Sequence, residues 1–447
     1  TMSEKILKFI LFKCPESARK RCTQWGLLPI DYALFEHRCS KFCCLFIEAY
    51  PHPDRHEDEA VPTLVRSTVR ILLMSQKVND RVALVVLELL LYKYPEAMRI
   101  MRIDARSLLC RAVYTEIPRA AEICRLVIQA LPELVLEHDE NGLQPLHLAC
   151  LGGSSPVVKC ILEMRPDAIR GTTRSGAFPI HHVVSILLDS SPEAAVEMVK
   201  TLLAVDPGVA SQVYRSIFPL FIACIETNDS NLMAGLKVIK SLYDAYPEAI
   251  VTAEQSFRQA IDRSAFDEEV EGFLIAQFEY AAQASDPRLI ITQDEDGLLP
   301  LHRALLDVAP LGSIKLLAQA DPATLLIPSN EGYLPVHVAC ERYQPDVVKY
   351  LVDLNIMSLR ATNNRGDTPL HCACRAANYG VIELLFSQTY PTAPVATRNV
   401  DGDLPIQLLL EHDDQESAAY VSCIFLLLRT SPGMWMNDAN IVLALSN

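Results

Sequence analysis

Five histidines, His147, His181, His302, His337 and His371, occupy the same place in a short recurring motif. Imidazoles can hold a metal or move protons, but these five fall in separate copies of the motif. Copies stacked as neighbouring helices lie about 10 Å apart, too far for the rings to converge on one ion. A structural role is expected for all five, and His182, which does not fit the motif, reads as a helix-face residue. Two acidic turns, Asp139-Glu140-Asn141-Gly142 and Asp294-Glu295-Asp296-Gly297, imitate the opening of a calcium loop. Its last position would be Leu148 or Arg303, where calcium requires a bidentate glutamate, so both read as exposed turn tips. His37, Cys39 and Cys43 could share a helix face as metal ligands, yet no second ligand pair accompanies them. Nothing matches a phosphate-binding glycine loop, a zinc-protease helix, a dinucleotide fingerprint or a nucleophile elbow. No catalytic residue, metal or cofactor is expected, and an enzyme is disfavoured.

The elements that must position such residues come from a repeat. At 447 residues the chain outgrows a single hydrophobic core and is either several domains or an array. Hydrophobic residues make up 50% and charged residues 21%, a globular balance that argues against disorder. A net charge of −15 repels phosphate backbones and anionic headgroups, which disfavours nucleic acid and membrane surfaces. No apolar run is long enough to span a bilayer; the longest, 82–92, carries Glu88.

Aligned on itself, the chain repeats Gly142-Leu-Gln-Pro145-Leu-His147 at Gly26, Gly176, Gly297, Gly332, Gly366 and Gly402, with a glycine-free copy at Ser216-Ile-Phe-Pro219. From Pro145 to Pro179 is 34 residues, from Pro300 to Pro335 is 35 and from Pro335 to Pro369 is 34. Glycine supplies a turn with positive φ, and proline three residues later suits the first position of a helix. A second apolar stretch of helical spacing follows in each copy, at 157–164, 196–205, 238–246, 314–320, 347–354 and 381–387. It commonly stops at a further proline, as at Pro166, Pro207, Pro247 and Pro322, because the residue before proline disfavours helix. Of the fourteen cysteines, Cys150, Cys224, Cys340 and Cys374 share one motif position and are expected as small buried side chains. Their spacing offers no disulfide framework, which points to reduced thiols in an intracellular, cytoplasmic setting.

These motifs resemble the ankyrin repeat, whose first helix opens with threonine, proline, leucine and histidine. Thr368-Pro369-Leu370-His371 matches in full; elsewhere the threonine becomes Leu28, Gln144, Phe178, Phe218, Leu299, Leu334 or Leu404. Loss of that cap costs about 1 kcal/mol per helix, and the larger side chains are expected to offset it by packing into the next unit. The resemblance implies an all-α solenoid of about eleven helix-turn-helix units with short turn or hairpin fingers. It also implies that the motif histidines tie turn to backbone and that partners lie against the fingers and first helices.

Residues 5–18 align with a second helix, so the chain is expected to begin inside a unit and either to continue upstream or to be covered there by a partner. Residues 51–59 form an acidic loop. The turn signal is lost near Pro62, Leu108 and Phe257, and an acidic run, Asp267-Glu268-Glu269, follows the last. The expected organisation is repeats over 1–250, a degenerate repeat over 251–287 and repeats again over 288–447. The degenerate segment is either a bend or an ordinary helix pair with a divergent turn. Residues 432–435 and 441–445 read as part of a final unit.

The implied binding surface comprises Leu143, Arg174, Tyr214, Arg215, Ile217, Asp294, Asp296, Leu298, Glu331, Tyr333, Asn364, Arg365 and Asp401. Within it, the row directly after the turn glycine is mostly apolar. Facing outward, the row would seat a peptide or helix between acidic tips that favour a basic partner; tucked between units, it would be core. Two functions remain open, a scaffold or adaptor for another protein and a structural subunit of a large assembly or the targeting part of a longer enzyme. Oligomeric state is not legible.

Overall fold

The computed structural model describes residues 4–14, 40–49, 120–386, 395–412 and 417–430, together with single positions between 17 and 109. The glycine turn at Gly26, the loop 51–59, the turn near Pro62, His37, Cys39 and the segments 432–435 and 441–445 lie outside the described residues. Two compact units divide the chain, Thr1–Leu242 and Tyr243–Asn447. Every named element in both is helical, and the one β-bridge among the described residues joins Tyr214 to Ile217.

In the first unit, α1 (Glu4–Lys13) packs on α2 (Ser40–Ala49). Then come α3 (Ala120–Ala130), α4 (Pro145–Leu151) and α5 (Ser155–Met164). Helix α6 opens as Pro179–His182, widens into a π-turn over Val183–Leu187 and closes as Leu188–Ser190. Helices α7 (Pro192–Val205) and α8 (Pro219–Glu226) follow, and α9 (Leu232–Ala245) begins in the first unit and ends within the second. First helices stack on first helices, α4 on α6 on α8, and second helices stack on second helices, α3 on α5 on α7.

In the second unit α10 (Glu248–Thr252) leads into the divergent segment 251–287, which holds α11 (Glu254–Asp262) and α12 (Glu268–Ser285). Regular pairs come next: α13 (Pro300–Leu306) with α14 (Leu311–Ala320), α15 (Pro335–Arg342) with α16 (Pro345–Leu354) and α17 (Pro369–Arg375) with α18 (Tyr379–Phe386). Helices α19 (Pro405–Leu410) and α20 (Ala418–Thr430) complete it. One apolar core runs through these pairs from Ile290 to Leu427, with Cys340, Cys372, Cys374 and Cys423 inside it.

Local chemistry explains the repetition. Asp206 and Asp321 are held extended ahead of proline, at φ −148° and −147°, and each side chain accepts the amide two residues on at 2.9 Å. A five-residue 3-10 turn then carries the chain to the next finger, over Pro207–Ser211 and Pro322–Leu326. Asn355 does the same with no proline behind it, at φ −152°.

At the fingers Gly332 has φ +81°, and a Cβ there would come within 2.7 Å of the Asn364 amide nitrogen. Both the turn and the approach of the next finger therefore require glycine. The glycine-free copy makes the same reversal with Arg215 and Ser216 at φ 52° and 65°.

Thr368 caps α17 through its hydroxyl, whereas Leu299, Leu334, Leu404 and Phe218 make no capping bond and are between 0% and 8% exposed. Burying a leucine contributes about 1.5 to 3 kcal/mol, which exceeds the roughly 1 kcal/mol of the missing cap.

Candidate functional site

The motif histidines act as staples. His302, His337 and His371 are fully buried, and each Nδ1 accepts the backbone N–H of the residue before its helix proline, at 3.2, 3.1 and 3.1 Å. Nε2 then donates to a carbonyl of the following unit: Tyr333 O at 2.9 Å, Asp367 O at 3.2 Å and Asp403 O at 3.2 Å. His147 does the same in the first unit, from the Gln144 N–H to Ala177 O at 3.1 Å. This pattern needs the neutral ring protonated on Nε2. Burial drives the pKa values of His147, His181 and His337 down to about 4, outweighing the carbonyls that favour the proton. His302 and His371 are lowered for the same reason.

His181 keeps its bond to the Phe178 N–H, but its Nε2 has no hydrogen-bond partner; the glycine-free finger follows it. In the copy at Gly402, Gln407 stands where the histidine would be, and its Oε1 takes the Leu404 N–H at 2.7 Å. His182 is half-buried, and its ring meets His147 edge-on at 5.5 Å.

The fingers are templated by their first residue. Asp294 Oδ1 accepts from the amides of Asp296 and Leu298 at 3.0 and 2.8 Å, and its other oxygen pairs with Arg303. Asp139 accepts from Asn141 and Leu143, and Asn363 from Arg365 and Asp367. Successive tips are laced together by Asn330 N to Asp296 O at 3.1 Å, Asn364 N to Glu331 O at 3.0 Å and Val400 N to Arg365 O at 2.8 Å. The Asn364 side chain adds a bond to Asn330 O at 2.9 Å. In the first unit Arg174 N bonds Gly142 O at 3.1 Å. The tips thus form a fixed ladder rather than a set of independent loops.

On the laced tips Arg174, Asp294, Asp296, Glu331, Asn364, Arg365 and Asp401 are exposed, as is Arg215 on the glycine-free finger. The Arg215 guanidinium lies 5.1 Å over the half-buried Tyr214 ring, which in turn stands 5.7 Å from His181. The row after the turn glycine divides by copy. Ala177 and Asp367 are core at 3% and 0% exposure, Leu143, Leu298, Tyr333 and Asp403 are half-buried, and Ile217 is 37% exposed.

The spacing did not foretell the ion pair of Asp367 with Arg375 at 2.8 Å, which holds a carboxylate inside the apolar row. Burial pushes that carboxyl up, but Arg375 and Asn399 overcome it and leave it below the usual range. The only sequence signal was a charged residue where most other copies carry an apolar one, with an arginine two helical turns later. Thiols at Cys150 and Cys372 are pushed up to about 12 by burial, so both are protonated packing residues.

Residues 301–395 match the family described as ankyrin repeats, in three copies. Among curated proteins none matches the chain. Repeats of this family are generally protein-interaction modules. The turn glycine, the helix-opening proline and the buried histidine staple of the matched copies recur ahead of them at Gly142, Pro145 and His147, so the chain carries ankyrin repeats over 301–395 and the same motif before them.

Proposed function

We propose that the chain is a non-catalytic scaffold that holds another protein against its finger tips and first helices. The observation that carries this reading is the pair Leu298 and Tyr333, two half-buried apolar side chains presented in register on the laced fingers, beside Asp294, Asp296 and Glu331. Rigid apolar surface rimmed by carboxylates favours a partner that offers a peptide or helix with basic residues. The net charge of −15 supports a protein rather than a nucleic-acid partner, and thiols kept protonated by burial fit a reducing, cytoplasmic setting.

Among the described residues no helix is long and apolar enough to cross a membrane. A second reading, a fixed subunit of a larger assembly, draws on α1, where Phe9 and Phe12 are 63% and 81% exposed.

Affinity capture of the tagged chain from its own cell lysate tests the scaffold. One or a few proteins should be retained by the parent and lost with Leu298→Asp and Tyr333→Asp together, while circular dichroism shows the helices intact. Retention by the double variant would remove the fingers from the site. Capture of nothing specific by the parent would remove the scaffold.

A further inference from the structure

The divergent segment carries a feature that the regular copies lack. Between α11 and α12 lies an open groove of about 470 Å³, lined by Arg258, Ile261 and Asp262 from one helix and by Ile275, Phe278 and Glu279 from the other. Three and four residues separate Arg258 from Ile261 and Asp262, and Ile275 from Phe278 and Glu279, which places each set on one side of its helix. Val270, Leu274, Phe278 and Ala281 form the buried face of α12, which packs on α14, so the Phe278 ring is the groove's buried floor while Ile275 and Glu279 stand on the adjoining exposed side. The second helix of a regular copy, α16, exposes Asp346, Lys349 and Asp353 to solvent. In α12 the exposed side instead shows Ile275, 49% accessible, next to the rim of Phe278.

Charge in the groove is unbalanced. The Arg258 guanidinium stacks 4.7 Å over the Phe278 ring and is matched within α11 by Glu254 at 2.7 Å. Asp262 and Glu279 are exposed, and no described lysine or arginine forms an ion pair with either. An apolar floor with two unmatched carboxylates on its rim is complementary to an aliphatic side chain flanked by ammonium or guanidinium groups. The volume suits the anchor residues of one helix rather than the surface of a whole domain.

We propose that this groove is a second docking site, separate from the fingers, for an amphipathic helix of a partner protein. The helix would seat an aliphatic residue between Ile261 and Ile275 and place lysine or arginine against Asp262 and Glu279.

Fluorescence anisotropy with the full chain tests this. The probe is a labelled peptide of leucine and lysine patterned as an amphipathic helix, and its control replaces every lysine with glutamate. The lysine peptide should bind saturably at physiological salt and the glutamate peptide should not. Ile275→Asp should weaken binding at least about tenfold, as expected for the loss of a central anchor. Asp262→Lys with Glu279→Lys, two exposed sites that leave the helices intact, should do the same even if Ile275→Asp were to unfold. The Leu298→Asp and Tyr333→Asp double variant should bind the peptide like the parent, so this site and the finger surface fail independently. Equal affinity of the parent and the charge-reversed variant would overturn the proposal, as would loss of binding through the finger variants alone. Sedimentation provides a further check: a concentration-dependent dimer of the parent that Ile275→Asp dissolves would make a second copy the occupant and overturn the partner helix.

Discussion

Replacing His337 with glutamine separates the two things the staple does. In the fold the His337 ring is fully buried, and burial lowers its pKa from 6.5 to about 4 despite the carbonyls of Ala361 and Asp367 that favour its proton. A depressed base of this kind is neutral in the folded chain while the unfolded chain takes up a proton as pH falls below 6.5. Stability is therefore fully present above pH 6.5, declines as pH falls towards 4 and reaches its floor below that. Linkage over that interval gives a loss of about 2 kcal/mol from this one residue at pH 5.

Glutamine cannot titrate, and Gln407 already shows that an amide in this position accepts the N–H ahead of the proline. His337→Gln sacrifices the Nε2 donation to the next unit, worth about 1 kcal/mol, so it should be the weaker protein at pH 7.5. At pH 5 the parent has lost about 2 kcal/mol that the variant keeps, and the order of the two should close or invert. Urea titrations followed by circular dichroism at the two pH values measure this, and the ring-proton NMR shift of His337 reads its pKa directly. Parallel loss of stability in parent and variant from pH 7.5 to 5 would refute the argument, because the ring would then be titrating as it does in the unfolded chain.

The finger without glycine holds Arg215 and Ser216 at positive φ, so Ser216→Gly should raise the urea midpoint by relieving about 1 kcal/mol of backbone strain; an unchanged or lowered midpoint would mean that the turn is not left-handed in solution. Arg375→Ala leaves the Asp367 carboxylate buried without its cation and should cost about 3 kcal/mol in the same assay, with much of the loss restored by adding Asp367→Asn. Thr368→Ala should cost about 1 kcal/mol, whereas Leu334→Ala, which removes a buried side chain, should cost about 2 kcal/mol or more; the reverse order would contradict the trade of caps for packing. Lys159→Ala should leave the midpoint where it was, since the pair with Glu197 at 3.0 Å is exposed on both sides.

Much of the array was legible because each copy repeats its own instructions. Gly332, Pro335 and His337 need only local rules to give a turn, a helix start and a buried ring, and their recurrence at Gly297, Pro300 and His302 fixes the period. The second helices were legible by apolar spacing, although they begin earlier than that spacing indicates, Ser155 rather than Val157 and Pro192 rather than Val196, because their opening residues include no large apolar side chain apart from proline. The 3-10 turns after Asp321 and Asn355 were not foreseen, and neither was the π-turn over Val183–Leu187. The 3-10 turns follow a local signal, an Asp or Asn whose side chain takes the amide two residues on, whereas the π-turn follows no pattern in its own residues.

The sequence by itself determined the class of fold and the place of the finger turns at Gly142, Gly176, Gly297, Gly332, Gly366 and Gly402. Which residues of the row after the glycine face outward was decided only in the tertiary structure. Ala177 and Asp367 are covered while Leu298, Tyr333 and Ile217 retain exposure, because the neighbouring finger sets what each position meets. The same holds for Arg375, which is a polar helix residue in the sequence and becomes the partner of a buried carboxylate once α17 is packed. It holds again for the groove between α11 and α12. Repetition writes the backbone into the sequence, but exposure, pairing and cavities are properties of neighbours, and a repeat meets its neighbours only when it is stacked.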